Sequence, residues 1–513
     1  MSFPLAVAPS VRTPGLAMRV DLLAAAASPG QSQLLSLLIA SKMSAGTITP
    51  DTQIVEAVAG PDAVAALLGE GAFGHLAAKA WFREHPLGRL DVVAPIEATG
   101  DKATTTVTFG FSSGSVVAAS RTVVVKIAGR PIEIVWVTGE TATQGAAKLV
   151  AAIASAAGDL PVTATNTAGV VDITSKLNGL LGNDITLEVA VSGGSVLATV
   201  VRGAAALAAG TGTCLIDNVL TLASGTEYAY IIPAANGNAD AAEASATSSI
   251  GKLKTATDAN DEGFNALLQQ VVVGITGALA GAKTGTSQHN YGPMQYIFMR
   301  SGQSLPCELA AAEAGARAYA EAIDPAVNRI NAPYKATLYP PTVLTTGKLT
   351  PAQVEDALQS GVTPVTYTST GSPRPSRPIT TYWKTASSGA ADPRLLDTSR
   401  ITGTYAVARD LRSAIPQEFD QVKFSADLVP GDDPPPAGVV EVRDVKGFVQ
   451  SRVGGFWVSS GVVDRAAFLQ AVADGTVLVR QNPSDSAQCD IVLPIKIVPP
   501  LAKFSFVVQH VGT

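Results

Sequence analysis

Four patterns in the sequence have residue types and spacings that chemistry could use. Gly110-Phe111-Ser112-Ser113-Gly114 has the G-x-S-x-G spacing of a nucleophile elbow. That motif works where a strand turns sharply into a helix and presents the serine beside an oxyanion hole. Here the β-type run SVVAASRTVVVKI follows, and a hairpin turn is the reading that fits. Gly274, Gly277 and Gly281 follow an apolar run, as in a phosphate-cradling loop. Their spacing is neither the dinucleotide nor the P-loop fingerprint, and Lys283 lies outside it. A strand-to-helix turn with small residues for close packing accounts for them. Asp258-Ala259-Asn260-Asp261-Glu262-Gly263 imitates the opening of a calcium loop. The twelfth position, where such a loop places a bidentate glutamate, is Gln269, so a helix-capping loop fits better. His75, His85, His289 and His510 share no metal-ligand spacing and read as surface or packing histidines. No Cys–His or paired-carboxylate constellation stands out, and no catalytic, cofactor or metal site is expected.

These residues sit on a mixed set of elements. The opening stretch carries Pro4, Pro9 and Pro14 and reads as an extended arm. Apolar runs at 33–40, 52–59 and 90–95 have strand lengths, with helical stretches from Pro61 to about Leu68 and from about Ala72 to Glu84 between them. Apolar runs alternating with helices predict an α/β layer. Residues 103–202 read differently, as several β-rich runs with glycine-containing turns and one amphipathic helix at about 144–157. They predict an α+β module inserted into the layer, followed by an Ala/Gly-rich linker at 203–213. The α/β pattern resumes with strands at 227–235, 271–275 and 296–300. Helices are predicted at 239–255, near 262–270, and from Pro306, at the N1 position, to about Ile323. Segment 366–400 is a polar excursion, 401–415 is helical, and 431–438 is a loop because three consecutive prolines exclude helix and central strand. A strand, a helix at 463–473 and two terminal strands close the chain.

The totals bound the function. A chain of 513 residues is too long for one core, so about three compact units are expected. The net charge of −6 gives no footprint for bulk nucleic acid or an anionic membrane. Charged residues are only 15 % and hydrophobic ones 47 %; surface covered by partners and a simple Ala/Val richness both produce such figures. Cys214, Cys307 and Cys489 are odd in number and widely spaced, which fits a reducing compartment better than a disulfide framework. No apolar run reaches the roughly 18 residues that span a bilayer, and no signal-peptide pattern opens the chain, so a soluble cytoplasmic product is expected.

The last stretch, 490–513, poses the functional question. Residues 491–498 and 502–511 each read as one strand, separated by Pro499-Pro500. Phe504 and Phe506 fall on one face of the second, opposite Lys503 and Ser505. An apolar terminal strand needs a sheet, either its own subunit's or a neighbour's.

The order of the whole chain resembles the contractile phage tail sheath family, in its Mu-like branch. The resemblance is carried by Val11-Arg-Thr-Pro-Gly15 with Met18-Arg-Val-Asp21, Gly129-Arg-Pro-Ile-Glu-Ile134, Gly182-Asn-Asp-Ile185, Tyr228-Ala-Tyr-Ile-Ile-Pro233, the run Arg409 to Lys423 and the strand-rich tail. It implies an α/β and α+β multidomain fold. The parts would be an N-terminal arm (1–20), an α/β sheath core in two pieces (21–102 and 203–375), an inserted outer β-rich domain (103–202), a C-terminal inner domain (376–489) and a C-terminal strand arm (490–513). It implies a non-enzymatic subunit that stacks as hexameric rings around a tail tube and contracts by rigid-body rearrangement to drive the tube through the host envelope. Its partners would be further copies of itself, the tube protein, and baseplate and tail terminator proteins. No cofactor, direct nucleic-acid contact or membrane insertion is implied. The place would be a virion tail assembled in the host bacterial cytoplasm. Val11, Arg12, Ile495, Ile497, Phe504 and Phe506 would take part in strand exchange between subunits. Arg409, Arg412 and Lys423 would face the tube, although an ordinary solvated helix explains them equally well. Two rivals are another self-assembling virion component and an α/β hydrolase using Ser112. Tube subunits are usually much shorter, and capsid proteins lack a strand-armed ending.

Overall fold

The computed structural model describes residues 18–19 and 34–502, apart from 194–196, 244, 261, 264–265, 344–346, 386–387 and 428–435. Its centre is an eight-stranded sheet. The order across it is Pro373–Pro375, Val362–Tyr367, Met294–Arg300, Gln270–Gly277, Tyr230–Pro233, Ser36–Ile39, Leu90–Val93 and Ile54–Val55. The neighbouring strands pair in parallel except at the two edges, where Ile54–Val55 and Pro373–Pro375 run antiparallel. Pro373 and Pro375 lack the donor a central strand needs, and they stand at an edge.

A parallel sheet must be covered on both faces, and its inner strands read as continuous apolar runs. Along the inner strands Leu38, Val92, Ile232, Val272 and Ile297 point to one side, towards helices α1 (Phe73–Glu84) and α2 (Pro306–Glu321). Leu37, Val93, Ile231, Val273 and Phe298 point to the other, towards helices such as Ser249–Asn260 and Leu279–Gln288. Six alanines of α2 are buried, and small side chains let it approach the sheet closely. Gly274 is the sharpest case, since a Cβ there would lie 2.0 Å from the carbonyl oxygen of Pro306. The 274–281 glycines thus serve a strand-to-helix turn and close packing.

Residues 102–202 build two antiparallel sheets of their own. One orders Leu187–Ser192, Arg121–Ile127 and Arg130–Trp136; the other orders Ala198–Arg202, Lys102–Phe111, Val170–Asn178 and Val162–Thr167. Helix Ala142–Ser155, opened by a Thr141–Gln144 capping box, lays Leu149 and Ile153 into this module's core. Trp136 meets Phe109 edge-on at 5.2 Å between ring centroids. The strands flanking Ser112 belong to different sheets, so the predicted hairpin is a nine-residue crossing in which Val117 is buried. The Ala/Gly linker is no loose tether: Ala206 and Ala208 form bridges with Thr186 and Thr104.

Helix α3 (Thr398–Glu418) joins the central layer to the C-terminal part. Ile401 and Tyr405 pack with Leu268 and Tyr382. Val407 and, further along, Leu411 and Ile415 pack into a cluster around Val449, Trp457 and Phe468. The helix runs past Pro416, which costs one backbone bond only in its last turn. The helix predicted near 262–270 is absent among the described residues. Glu262–Gly263 pairs with Met18–Arg19, and Gln270 already starts a sheet strand. A helix that the sequence pattern does not predict, Val442–Arg452, precedes Trp457. The predicted strand 491–498 ends at Val492, because Pro494 cannot donate to a ladder.

Polar groups buried at the centre are answered by one another. Arg317, with 1 % of its side chain exposed, donates to Glu321 at 2.8 Å, Gln295 at 3.0 Å and Thr402 of α3 at 3.0 Å. Replacing one member of such a set leaves its partners buried and unpaired, at a cost of about 3–5 kcal/mol. Arg317→Leu is therefore expected to lower the unfolding free energy measured by chemical denaturation by that order, and a loss below about 1 kcal/mol would show the network to be dispensable.

Candidate functional site

An open α/β sheet places ligands beyond the carboxyl ends of its strands, where the strand order reverses. Here that point lies between Ser36–Ile39 and Tyr230–Pro233, and the chain fills it itself. Ser41 Oγ lies 2.9 Å from Cys214 Sγ. The Cys214 amide donates to Asn236 Oδ1 at 2.9 Å, and Asn236 Nδ2 donates back to the Cys214 carbonyl at 3.2 Å.

The other chemical candidates are answered locally as well. The Ser112 amide and hydroxyl both donate to the Leu197 carbonyl, at 2.8 and 3.2 Å, with no base bonded to Ser112 among the described residues. His75 accepts from the Gly71 amide at 3.0 Å, and burial pushes its pKa down to about 4, the behaviour of a neutral packing histidine. Burial raises the thiols of Cys214, Cys307 and Cys489, the last to about 11, which makes them poor nucleophiles. Asp258 lies inside helix Ser249–Asn260 rather than in a loop. No group of three metal-binding side chains occurs among the described residues, and no helix there is long and apolar enough to cross a membrane. His510 lies outside the described residues.

The tail residues present a different chemistry, that of backbone pairing. Ile495 and Ile497 point inward and are buried, while Lys496 and Val498 point outward. Ile497 forms a bridge with Val463, the Val498 amide donates to the Val462 carbonyl at 2.9 Å, and Lys496 reaches Asp464 at 2.6 Å. Ile495 joins the Trp457 cluster, and Ile497 packs with Val462 and Ala326. Both isoleucines are therefore seated on their own chain. Beyond Pro499-Pro500, Leu501 is exposed, and its carbonyl accepts from Asn328 at 3.4 Å. Val11, Arg12, Phe504 and Phe506 lie outside the described residues.

Two small sheets stand beside this tail. Leu478–Gln481 pairs antiparallel with Cys489–Val492, and Lys423–Ser425 pairs in parallel with Val439–Glu441. Neither gains a third strand among the described residues. Two strands alone are marginal in water, and an open edge is a template for another strand.

Of the three predicted tube-facing cations, Arg409 and Arg412 are turned inward. Both donate to the carboxylate of Glu227, and each also donates to a backbone carbonyl, of Leu268 and Ala266 respectively. Lys423 is exposed. Sequence reasoning gives no signal for Glu227, which stands alone ahead of an apolar strand. Nor does it single out Asp410, which accepts from Trp457 Nε1 at 2.7 Å and binds Arg452.

No family model matches the chain, and neither does any curated protein. Among solved structures the chain is similar to a sheath tail protein from Desulfitobacterium hafniense, at 12 % identity and a TM-score of 0.39, over 92 % of this chain and 98 % of that one. It is also similar to a sheath tail protein from Listeria innocua, at 14 % identity and a TM-score of 0.37, over 90 % of this chain and 89 % of that one.

Glu227 serves two guanidinium groups, so its removal strands both. After allowing for partial solvent screening, Glu227→Ala is expected to cost about 1–3 kcal/mol, more than Arg409→Ala or Arg412→Ala alone. A double-mutant cycle by chemical denaturation should give non-additive losses, whereas additive ones would mean that the pairs contribute nothing.

Proposed function

We propose that this chain is a structural subunit of a contractile tail sheath of the Mu-like branch, and that it polymerises through strand addition. The observation that carries the reading is the pair of two-stranded sheets left open beside the tail, on a chain that fills its own ligand crevice. Main-chain bonds to an open edge supply attachment, and alternating side chains supply register. In this reading the division into arms, core, outer module and inner domain is the one expected from sequence. Ile495 and Ile497 anchor the root of the C-terminal arm. Phe504 and Phe506 of one subunit, with Val11 and Arg12 of the N-terminal arm, complete a small sheet of a neighbour, and the hairpin Leu478–Gln481/Cys489–Val492 is the acceptor.

The subunits stack as hexameric rings around a tail tube, between baseplate and terminator proteins, in a virion tail built in the host cytoplasm. Contraction is a rigid-body rearrangement that keeps the exchanged strands as hinges and consumes no nucleotide. Lys423 faces the tube, and Arg409 and Arg412, turned inward onto Glu227, brace the helix behind it.

Deleting 502–513 removes the distal part of the arm but none of its buried root. The truncated chain is expected to keep the circular dichroism of the full chain, to elute as a monomer and to form no tubules by electron microscopy; tubules from the truncated chain would overturn the proposal. Lys423→Glu tests the tube contact without disturbing Glu227. Sheath tubules empty of tube are the expected outcome, and normal tube-filled particles the contrary one.

A further inference from the structure

One of the contacts between the inserted module and the end of the central sheet rests on a single acidic side chain, while the Arg130–Glu308 and Lys79–Asp159 ion pairs hold the module elsewhere. Asp184, which closes the turn Leu180–Asp184, accepts from the Asn238 amide at 2.8 Å and from Asn238 Nδ2 at 2.9 Å. Asn238 is itself tied to the sheet, because its Oδ1 accepts from the Thr276 amide at 2.9 Å and its Nδ2 reaches Thr276 Oγ1 at 3.2 Å. The contact is built closely: a Cβ on Gly237 would stand 2.0 Å from Asp184 Oδ2. A small cleft lined by Phe73, Leu181, Ala234, Gly237, Pro306 and Cys307 surrounds the carboxylate.

We propose that the Asp184–Asn238 contact is a proton-operated latch that fastens the inserted module to the central sheet. Among the described residues, the joint lacks a countercharge for this carboxylate. The loop 234–238 offers only the neutral Asn236 and Asn238, the strand Gln270–Gly277 offers only the neutral Thr276, and α1 offers Phe73. From α2 the facing groups are the thiol of Cys307 and, behind it, Glu308, which is paired with Arg130. Asp240, two residues beyond Asn238, is engaged by the Ser249 amide at 3.1 Å. No cation therefore balances an ionised Asp184 in the closed joint. The residue as a whole is half-buried, yet desolvation is the largest influence on its carboxyl and pushes it up to about 7, against the opposing pull of the two Asn238 bonds.

A carboxyl raised in the closed state favours closure fully below its solvated value of 3.8. That contribution is lost as pH rises through about 7. Opening of the joint is therefore expected to become easier by roughly five- to ninefold per pH unit between pH 4 and 7, or roughly fiftyfold from pH 5 to 7, and to level off above.

Hydrogen–deuterium exchange of the full chain, corrected for intrinsic rates, reads this directly at 180–186, with the strand Arg121–Ile127 as an internal control. The wild type should lose protection at 180–186 with that pH profile while the control strand does not. Asp184→Asn, which keeps an acceptor for the Asn238 amide but cannot ionise, should flatten the profile. Asp240→Asn should leave it unchanged. The proposal is overturned if protection at 180–186 in the wild type changes with pH no more than protection of Arg121–Ile127 does, a result readable even if Asp184→Asn does not fold. It is equally overturned if Asp184→Asn retains the wild-type profile or Asp240→Asn abolishes it.

Discussion

Arg317 occupies the point where the central sheet, α2 and α3 meet, and a guanidinium there must be satisfied on every side or it costs several kcal/mol. Glu321 answers it from one turn along its own helix, Gln270 and Gln295 from two neighbouring strands, and Thr402 from α3. Thr402 in turn donates to Glu321 at 2.7 Å. Geometry this specific admits one register between sheet and helices. Everything C-terminal to α3 takes its position from it, including the Trp457 cluster and the root of the tail.

That constraint also explains which parts of the fold are legible in the sequence. Apolar strands buried on both faces, such as 90–95 and 271–275, announce themselves because nothing polar interrupts them. The helix opened by Pro306 is visible through its proline, and the helix 463–473 through its periodicity; Asp464 caps it by accepting from the Ala467 amide. Partners distant in sequence are not visible. Glu227 is decided by two arginines at 409 and 412, and the irregular stretch before Gln270 by a pairing with residues 18–19. Local propensity reads 262–270 as helix because long-range backbone bonds leave no mark on composition. The same holds for Ser112, whose motif is right in spacing and wrong in setting.

The tail is legible as strand-forming, but where it goes is only partly so. Pro494 and Pro499-Pro500 divide it into a paired segment, a segment seated by Ile495 and Ile497, and a distal part. The seated segment has the inward–outward alternation of a strand but only one bridge, at Ile497. Its stability comes from side-chain burial rather than from a ladder. In the assembly proposed, that combination suits a joint: the root stays with its own subunit, and the distal strand is available to complete an edge elsewhere.

Whether the distal tail pairs with another copy's hairpin is tested most directly by mixed-isotope cross-linking. Particles assembled from equal amounts of light and heavy-nitrogen subunits, each carrying a photo-cross-linker at position 504, would be irradiated and analysed by mass spectrometry. The account predicts cross-links from 504 to the 478–492 hairpin in which about half join light to heavy chains. Cross-links found only within light or only within heavy chains would place the tail on its own subunit and contradict it.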